Sequence, residues 1–182
     1  MQMTLRLGGC SVLMAAALAF ATPRAKAEVF IDVGLSSSRI EADIPTITAT
    51  ISTTESGLHL GAGVYRALRN GSVGARIELD DLDSGLLLAV RALDYQHHLS
   101  ERLAIGGFFG AARLDLATPA YGYYLGGGMR LRGILPSWDL GIDLRLGDTI
   151  ARDNVLPSDP QGDRPDSFYD LTGVSIYLSR RF

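Results

Sequence analysis

The chain has 182 residues, of which 47% are hydrophobic and 20% are charged, and its formal net charge at pH 7 is −3. An acidic chain without a basic patch argues against nucleic acid as a partner. Cys10 is the one cysteine, and because we expect it to be removed with a leader segment, the mature chain has neither disulfides nor thiolate chemistry.

Residues 1–27 have the features of a secretory signal peptide. Arg6 provides positive charge, residues 11–21 form an apolar run, and Ala25-Lys26-Ala27 is a small-x-small cleavage site. The apolar run is too short to cross a bilayer as a helix, which needs about 20 residues. We therefore expect two parts, a signal peptide over residues 1–27 and a mature domain over residues 28–182.

From residue 28 onward, apolar residues recur at every second position, which is the period of a β-strand. In the first such segment Val29 and Ile31 lie on one face and Phe30 lies on the other. Residues 85–95 and 103–115 are apolar on both faces, so the sequence leaves open which of their side chains point into the barrel. The predicted strands cover residues 28–40, 57–68, 73–80, 85–95, 103–115, 121–132, 138–147 and 167–182. Eight is an even number, and the strands have about the 9–11 residues that a tilted transmembrane strand requires.

The face opposite to the apolar residues combines glycine, tyrosine and both signs of charge. Its charged residues are Arg76, Glu78, Arg130, Arg132, Asp139, Asp143 and Arg145. Side chains just fill the interior of an eight-stranded barrel, and buried charges are stable only when they are paired and hydrogen-bonded. The pattern favours a barrel with an interior charge network over a soluble β-sandwich, in which the apolar faces would point inward.

Aromatic residues near the predicted strand ends suit girdles at the two membrane interfaces. They are Phe30, Tyr65, Tyr95, Tyr121, Trp138, Phe168 and Phe182. We therefore predict an all-β, eight-stranded antiparallel up-and-down transmembrane β-barrel that follows a cleaved signal peptide.

Connector lengths predict an orientation, because outer-membrane barrels have short periplasmic turns and longer outer loops. The predicted periplasmic turns are residues 69–72, 97–101 and 135–137. The predicted outer loops are residues 41–56, 81–84, 117–120 and 148–166, so that both long connectors lie outside. The Ser/Thr-rich stretch from Thr46 to Ser56 could prolong the first hairpin as a ribbon whose edge accepts partners.

The last strand alternates apolar and polar residues up to a terminal Phe182. With this last strand, the strand count, the Ala25-Lys26-Ala27 site and the hairpin from Tyr95 to Gly107, the chain resembles the small eight-stranded outer-membrane barrels. These form the superfamily of the OmpA transmembrane domain, OmpX and the opacity proteins. The resemblance implies a location in the bacterial outer membrane, among lipid and lipopolysaccharide. It also implies an assembly signal for the barrel-assembly machinery, carried here by Val174, Ile176, Leu178 and Phe182. Arg180 departs from this pattern, since an aromatic residue is common at its position.

Two arrangements could carry chemistry. His98-x-Ser100 is similar to the His-x-Ser of the outer-membrane lipid A deacylases, but it lies in a predicted periplasmic turn, and the expected acid is replaced by Gly110, Ala111 and Ala112. His59, His97 and His98 do not share a face that would bind a metal, and we expect no metal and no cofactor. A plain polar turn is therefore the favoured interpretation of His98 and Ser100.

The sequence favours a non-enzymatic outer-membrane barrel with a plugged interior and a structural or surface-binding role. Residues 41–56 and 148–166 are the candidate surfaces for an extracellular ligand. The alternatives are a narrow, porin-like pore for small solutes, lined by the same interior charges, and a lipid A-modifying enzyme.

Overall fold

The computed structural model describes residues 27–44, 49–115, 120–152 and 168–182. They form eight strands: β1 (Ala27–Ile44), β2 (Ala49–Leu68), β3 (Gly71–Leu82), β4 (Gly85–His98), β5 (Leu103–Asp115), β6 (Ala120–Leu135), β7 (Trp138–Arg152) and β8 (Phe168–Arg181). Apart from Ala27, the predicted signal peptide lies outside the described residues. Within the described ranges, no helix has the length and apolar character needed to cross a membrane.

The strands pair in chain order, each antiparallel to the next, and β8 pairs with β1 to close the sheet. Along this closing seam, Phe30 lies opposite Arg181 and Asp43 lies opposite Phe168. Closure removes the exposed edges that an open sheet would have at its first and last strands. The predicted all-β, up-and-down barrel of eight strands is confirmed.

The period of two places apolar side chains outside the barrel and polar side chains inside it. On β1, Ile31 is 51% exposed and Leu35 is 65% exposed, whereas Asp32 between them is completely buried. The exposed apolar side chains encircle the barrel, and we call them the outer belt; it includes Val33, Leu60, Ile77, Val90, Phe109, Leu125, Leu144 and Ile176. Such a surface is favourable in lipid, where the closed hydrogen-bond ladder also satisfies the backbone.

The two ends of the barrel differ in their connectors. The turn end carries the short turns 69–70, 99–102 and 136–137, together with Ala27 and Phe182. The loop end carries the turn 83–84, and the strands that flank residues 45–48, 116–119 and 153–167, which lie outside the described residues, also end there. The three turns that were predicted to share one end therefore do lie together, and the short turn 83–84 lies at the other end, inside the predicted outer loop 81–84. β4, however, continues through residues 97 and 98, which were predicted as part of a connector.

The long predicted loops are partly strand. Ile44 pairs with Ala49, so the described part of the 41–56 loop belongs to the β1–β2 ladder, and β7 extends to Arg152, inside the predicted loop 148–166. Threonine and isoleucine favour strands, and ladder hydrogen bonds satisfy the backbone in water as well as in lipid. Pairing therefore continues beyond the outer belt.

A β-bulge in β4 determines which side chains of residues 85–95 point into the barrel, a question that the sequence left open. The pairing of β4 with β5 shifts register between Arg91 and Leu93, so that Arg91 and Asp94 both point inward although they are three positions apart, an odd number. A bulge inserts one extra residue and re-aims the side chains that follow. The strict alternation assumed from the sequence therefore fails at this point.

The aromatic girdles predicted from the sequence are partly wrong. Phe30 and Tyr65 are buried inside the barrel, where their rings stack with centroids 4.7 Å apart. Tyr95, Tyr121 and Phe182 are exposed on the outside, as a girdle requires. The direction of a side chain depends on its position in the alternation rather than on its distance from the strand end.

Candidate functional site

The barrel interior is centred on Arg76 of β3, which is 2% exposed. Its guanidinium contacts Asp32 of β1, Glu78 of its own strand at 3.3 Å and Asp143 of β7 at 3.2 Å. Nη1 of Arg76 also donates a hydrogen bond to the hydroxyl of Tyr177 on β8 at 3.2 Å. One side chain thus connects four strands by charge-assisted hydrogen bonds, which are the strongest class in proteins.

Other ion pairs also cross the interior. Nη2 of Arg91 on β4 lies 2.6 Å from both Asp143 and Glu78, and Arg145 on β7 contacts Asp80 on β3. In a closed ring of eight strands, β3 and β7 lie on opposite walls. Side chains from opposite walls therefore meet in the middle and fill the cross-section, as expected for this strand number.

His59 of β2 joins this network at its loop-end side. Its Nδ1 is 2.6 Å from Oδ1 of Asp80, and its Nε2 is 3.8 Å from Oε1 of Glu78. Tyr124 of β6 donates its hydroxyl hydrogen to Glu78. All four side chains are buried, so each polar group depends on the others for its hydrogen bonds.

Apolar side chains fill the interior on the loop-end side of the ion pairs. They are Ile40, Leu82, Leu87, Ala89, Phe108, Ala112, Leu114, Tyr124 and Leu171. Leu87 and Leu114 have at most 1% of their surface exposed, and burial of one such side chain contributes roughly 1.5–3 kcal/mol. This cluster, which we call the apolar seal, excludes water from that side of the network.

Interior glycines leave space for the large side chains. A Cβ on Gly128 would lie 2.0 Å from Oδ1 of Asp143, and a Cβ on Gly141 would lie 2.3 Å from Cζ of Tyr177. Real Cβ atoms do not approach other atoms this closely, so a side chain at either glycine would displace the network.

At the turn end the interior opens into a small cavity, which we call the vestibule. It has a volume of about 80 Å³, and its walls include Gln96, Arg130 and Arg132. At its mouth, Arg181 contacts Glu28 and Asp139, each at 3.2 Å. Deeper in, a cavity of about 10 Å³ lies between Arg130 and the central ion pairs, roughly the space of one water molecule.

The seven charged residues predicted for the interior occupy three places. Arg76, Glu78 and Asp143 form one cluster, and Arg145 pairs with Asp80. The other three predicted residues, Arg130, Arg132 and Asp139, line the vestibule.

Sequence reasoning missed several members of the network, which are Asp32, His59, Asp80, Arg91, Asp94, Tyr124 and Tyr177. The period of two already placed Asp32, His59, Asp80 and Tyr177 opposite the apolar residues, so this signal was available. Arg91 and Asp94 could not be recognised together, because the bulge between them breaks the period.

The described residues do not assemble the two chemical sites considered from the sequence. The hydroxyl oxygen of Ser100 accepts hydrogen bonds from the backbone N–H groups of Arg102 and Leu103, at 3.3 and 3.0 Å. Nε2 of His98 is instead 3.4 Å from Nη1 of Arg132. Among the described residues, no three His, Cys, Asp or Glu side chains are grouped so that they could hold a metal ion.

No protein-family model and no curated protein sequence matches the chain. Solved structures do share its fold. Ail, the attachment invasion locus protein of Yersinia pestis, solved in complex with the heparin analogue sucrose octasulfate, aligns with a TM-score of 0.54 at 13% identity, over 86% of this chain and 99% of Ail. Neisserial surface protein A aligns with a TM-score of 0.53 at 11% identity, over 85% of this chain and 97% of that protein. The chain therefore has the fold of the small eight-stranded outer-membrane β-barrels.

Proposed function

We propose that this protein is a non-enzymatic barrel of the bacterial outer membrane, with a closed interior and a loop end that presents a binding surface to the exterior. The observation that carries this proposal is the pairing of opposite walls by Arg76–Asp143 and Arg145–Asp80. A conducting path would have to break such pairs, and an unpaired buried charge costs about 3–5 kcal/mol. The network therefore favours a rigid support over a narrow pore for small solutes.

The outer belt and the buried charges support a membrane location, and the shared fold supports the outer membrane in particular. In this orientation the turn end faces the periplasm and the loop end faces the exterior, because short turns are typical of the periplasmic side. Lipid and lipopolysaccharide would then surround the belt.

The β1–β2 hairpin is the best-supported part of the exterior surface. Residues 49–57 of β2 have ladder partners on β1 alone in the described ranges, so one edge of this ribbon has free backbone groups that could pair with an added strand. Along the same stretch of β2, the polar side chains of Ser52, Thr53 and Thr54 are exposed. A partner that adds a strand would use backbone hydrogen bonds for affinity and these side chains for specificity.

The sulfated ligand found with Ail is not expected at the described loop-end surface of this chain. The acidic residues there whose side chains are described are Glu41, Asp81, Asp83, Asp115 and Asp170, together with the buried Glu55, whereas Arg39 and Arg113 contact Glu41 and Asp115. A polyanion would be repelled by this charge distribution. We propose a protein or peptide ligand instead.

The closed interior is tested by planar-bilayer recording of the purified, refolded protein. We expect no steady ion conductance with the wild-type protein. Discrete, reproducible channel openings would refute a closed interior and would favour the pore. A large-pore porin in the same bilayers shows that protein insertion is detected.

The orientation is tested by inserting the same short epitope in two tight turns of equal length, 69–70 and 83–84. We expect antibody binding to intact cells only for the insertion at 83–84. Both insertions should migrate as folded barrels in unheated SDS gels. Staining of intact cells through the 69–70 epitope would reverse the proposed orientation.

We also propose that Val174, Ile176, Leu178 and Phe182 act as the assembly signal. All four face outward, and the guanidinium of Arg180 lies 5.1 Å from the ring of Phe182, so it can remain at the interface. Phe182→Ala should slow assembly in cells while leaving spontaneous refolding in detergent unchanged. Equal slowing in both settings would indicate a stability effect and not a signal.

The absence of enzymatic activity is tested on lipid A. Mass spectrometry of lipid A from cells that overproduce the protein should match cells that produce none. A new deacylated species that disappears with Ser100→Ala would establish the enzyme that the proposal rejects.

A further inference from the structure

Arg130 of β6 differs from the other buried arginines of the interior. Arg76, Arg91 and Arg145 each contact a carboxylate. Arg130 is 4% exposed, and its Nε and Nη2 have no hydrogen-bond partner in the described part of the chain. Burial of an uncompensated charge is costly, so an anion at this position would stabilise the fold.

Aromatic rings surround Arg130 without neutralising its charge. Its Cζ lies 5.1 Å from the ring centroid of Tyr65, 5.4 Å from that of Phe30 and 6.0 Å from that of Tyr177. Such rings attract a guanidinium and hold its plane in position. The N–H groups of Nε and Nη2 lie on one edge of this plane, and that edge matches two oxygens of a carboxylate or phosphate.

The vestibule gives an anion both space and access. Arg130 lines it together with Ser72, Gln96 and Arg132, and it opens at the turn end beside Glu28 and Arg181. Its volume of about 80 Å³ exceeds the roughly 10–15 Å³ that one water molecule requires. A single oxyanion with a few waters therefore fits.

The carboxylates of the vestibule are already engaged. Glu28 and Asp139 both contact Arg181, and the described side-chain partner of Arg132 is the imidazole of His98, at 3.4 Å. Arg130 and Arg132 thus both line the cavity while the two acids bind a third arginine. The uncompensated charge of this region is positive.

We propose that the vestibule binds one small oxyanion, with Arg130 as its inner ligand, Arg132 as its second cationic ligand, and Ser72 and Gln96 as neutral hydrogen-bond donors. The recognised group is a phosphate or carboxylate, either free in the periplasm or carried by a lipid of the adjacent leaflet. This site is separate from the loop-end surface and does not depend on the ligand bound there.

The proposal is tested by NMR titration of the refolded wild-type protein in maltoside micelles, with inorganic phosphate at constant ionic strength. We expect saturable shifts of the backbone amides of Ser72, Gln96 and Arg132, and none at Asp83 or Asp115 of the loop end. A second titration uses acetate, and a third uses micelles that contain phosphatidylglycerol. Saturation with free phosphate or acetate assigns a soluble anion, whereas saturation with the lipid alone assigns a headgroup phosphate.

The matched variants are Arg130→Met and Arg113→Met, the second of which removes an exposed arginine at the loop end. Arg130→Met should weaken anion binding at least tenfold, and Arg113→Met should leave it unchanged. The proposal is overturned if the wild-type vestibule amides do not shift in any of the three titrations. It is equally overturned if a folded Arg130→Met protein binds as tightly as the wild type; if that variant does not fold, the wild-type titrations alone decide.

Discussion

Arg76 on β3 and Asp143 on β7 lie on opposite walls of the barrel, and their side chains meet at 3.2 Å across the interior. The same Asp143 receives a hydrogen bond from Arg91 at 2.6 Å and one from Tyr177 at 3.0 Å. Polar side chains therefore connect the strands across the interior, whereas the large apolar side chains of the outer belt face outward.

Removing the central cation should destabilise the barrel strongly. Arg76→Met preserves much of the side-chain volume but leaves Asp32, Glu78 and Asp143 with fewer cationic partners. We expect a loss of about 3–5 kcal/mol in the free energy of unfolding, measured by urea titration of the protein in lipid vesicles. Arg113→Met, which breaks an exposed pair, should cost no more than about 1 kcal/mol. Similar losses for the two variants would contradict the bracing role.

A methyl group at Gly141 should disrupt the network through sterics alone. Its Cβ would lie 2.3 Å from Cζ and 2.6 Å from the hydroxyl of Tyr177, so the ring must move and weaken its hydrogen bond to Asp143. We expect Gly141→Ala to lower the free energy of unfolding by about 1–3 kcal/mol. Gly107→Ala is the control, because the nearest atom to its Cβ lies at 3.6 Å. An unchanged free energy of unfolding for Gly141→Ala would show that the interior is loosely packed.

Deletion of Ala92 and deletion of Val90 should have opposite effects. Ala92 is the extra residue of the bulge, so its removal places Arg91 and Asp94 two positions apart, and strict alternation then keeps both inside the barrel. Removal of Val90 instead places Arg91 next to Ala89, so that alternation turns Arg91 toward lipid, where charged side chains are unfavourable. We expect the Ala92 deletion to migrate as a folded barrel in unheated SDS gels and the Val90 deletion to lose most of that band. Loss of the folded band without Ala92 would refute this role of the bulge.

A charge in the outer belt should be costly only if the belt contacts lipid. Leu144 is 64% exposed within the belt, and Leu135 is 60% exposed at the turn end. Leu144→Arg should lower the free energy of unfolding in vesicles by about 2–4 kcal/mol, and Leu135→Arg by at most about 1 kcal/mol, because the penalty depends on membrane depth. Equal, small effects would mean that both residues face water.

Much of the architecture could be predicted from the sequence, because the alternation of apolar and polar residues within one strand indicates which side chains point outward. Where alternation is strict, as from Val29 to Leu35, both the strand and its outward face were correct. Where both faces are apolar, as in β5, the sequence carries no such signal, and only the closed sheet determines that Phe108 points inward and Phe109 outward. Phe30 and Tyr65 are a different case, because the alternation already placed them opposite the apolar residues and they were assigned to the girdles only for lying near strand ends.

The candidate site was less predictable, because ion pairs join residues far apart in the chain. Arg145 and Asp80 are 65 positions apart and meet only because the ring places β7 opposite β3. The charges were visible in the sequence, but their partners were not. The same holds for Arg130, since its lack of an anionic partner among the described residues is a property of the assembled interior.

Period-two patterning, turn residues and strand count determined by themselves that the chain forms an eight-stranded barrel with apolar residues on one face, because these signals act within one strand or one hairpin. The tertiary structure alone decided which charges pair, where the bulge re-aims β4, how the apolar seal closes the loop-end side and where the vestibule opens. Those features depend on distances across the barrel, which are set when β8 closes against β1 and brings opposite walls within reach of a single arginine side chain.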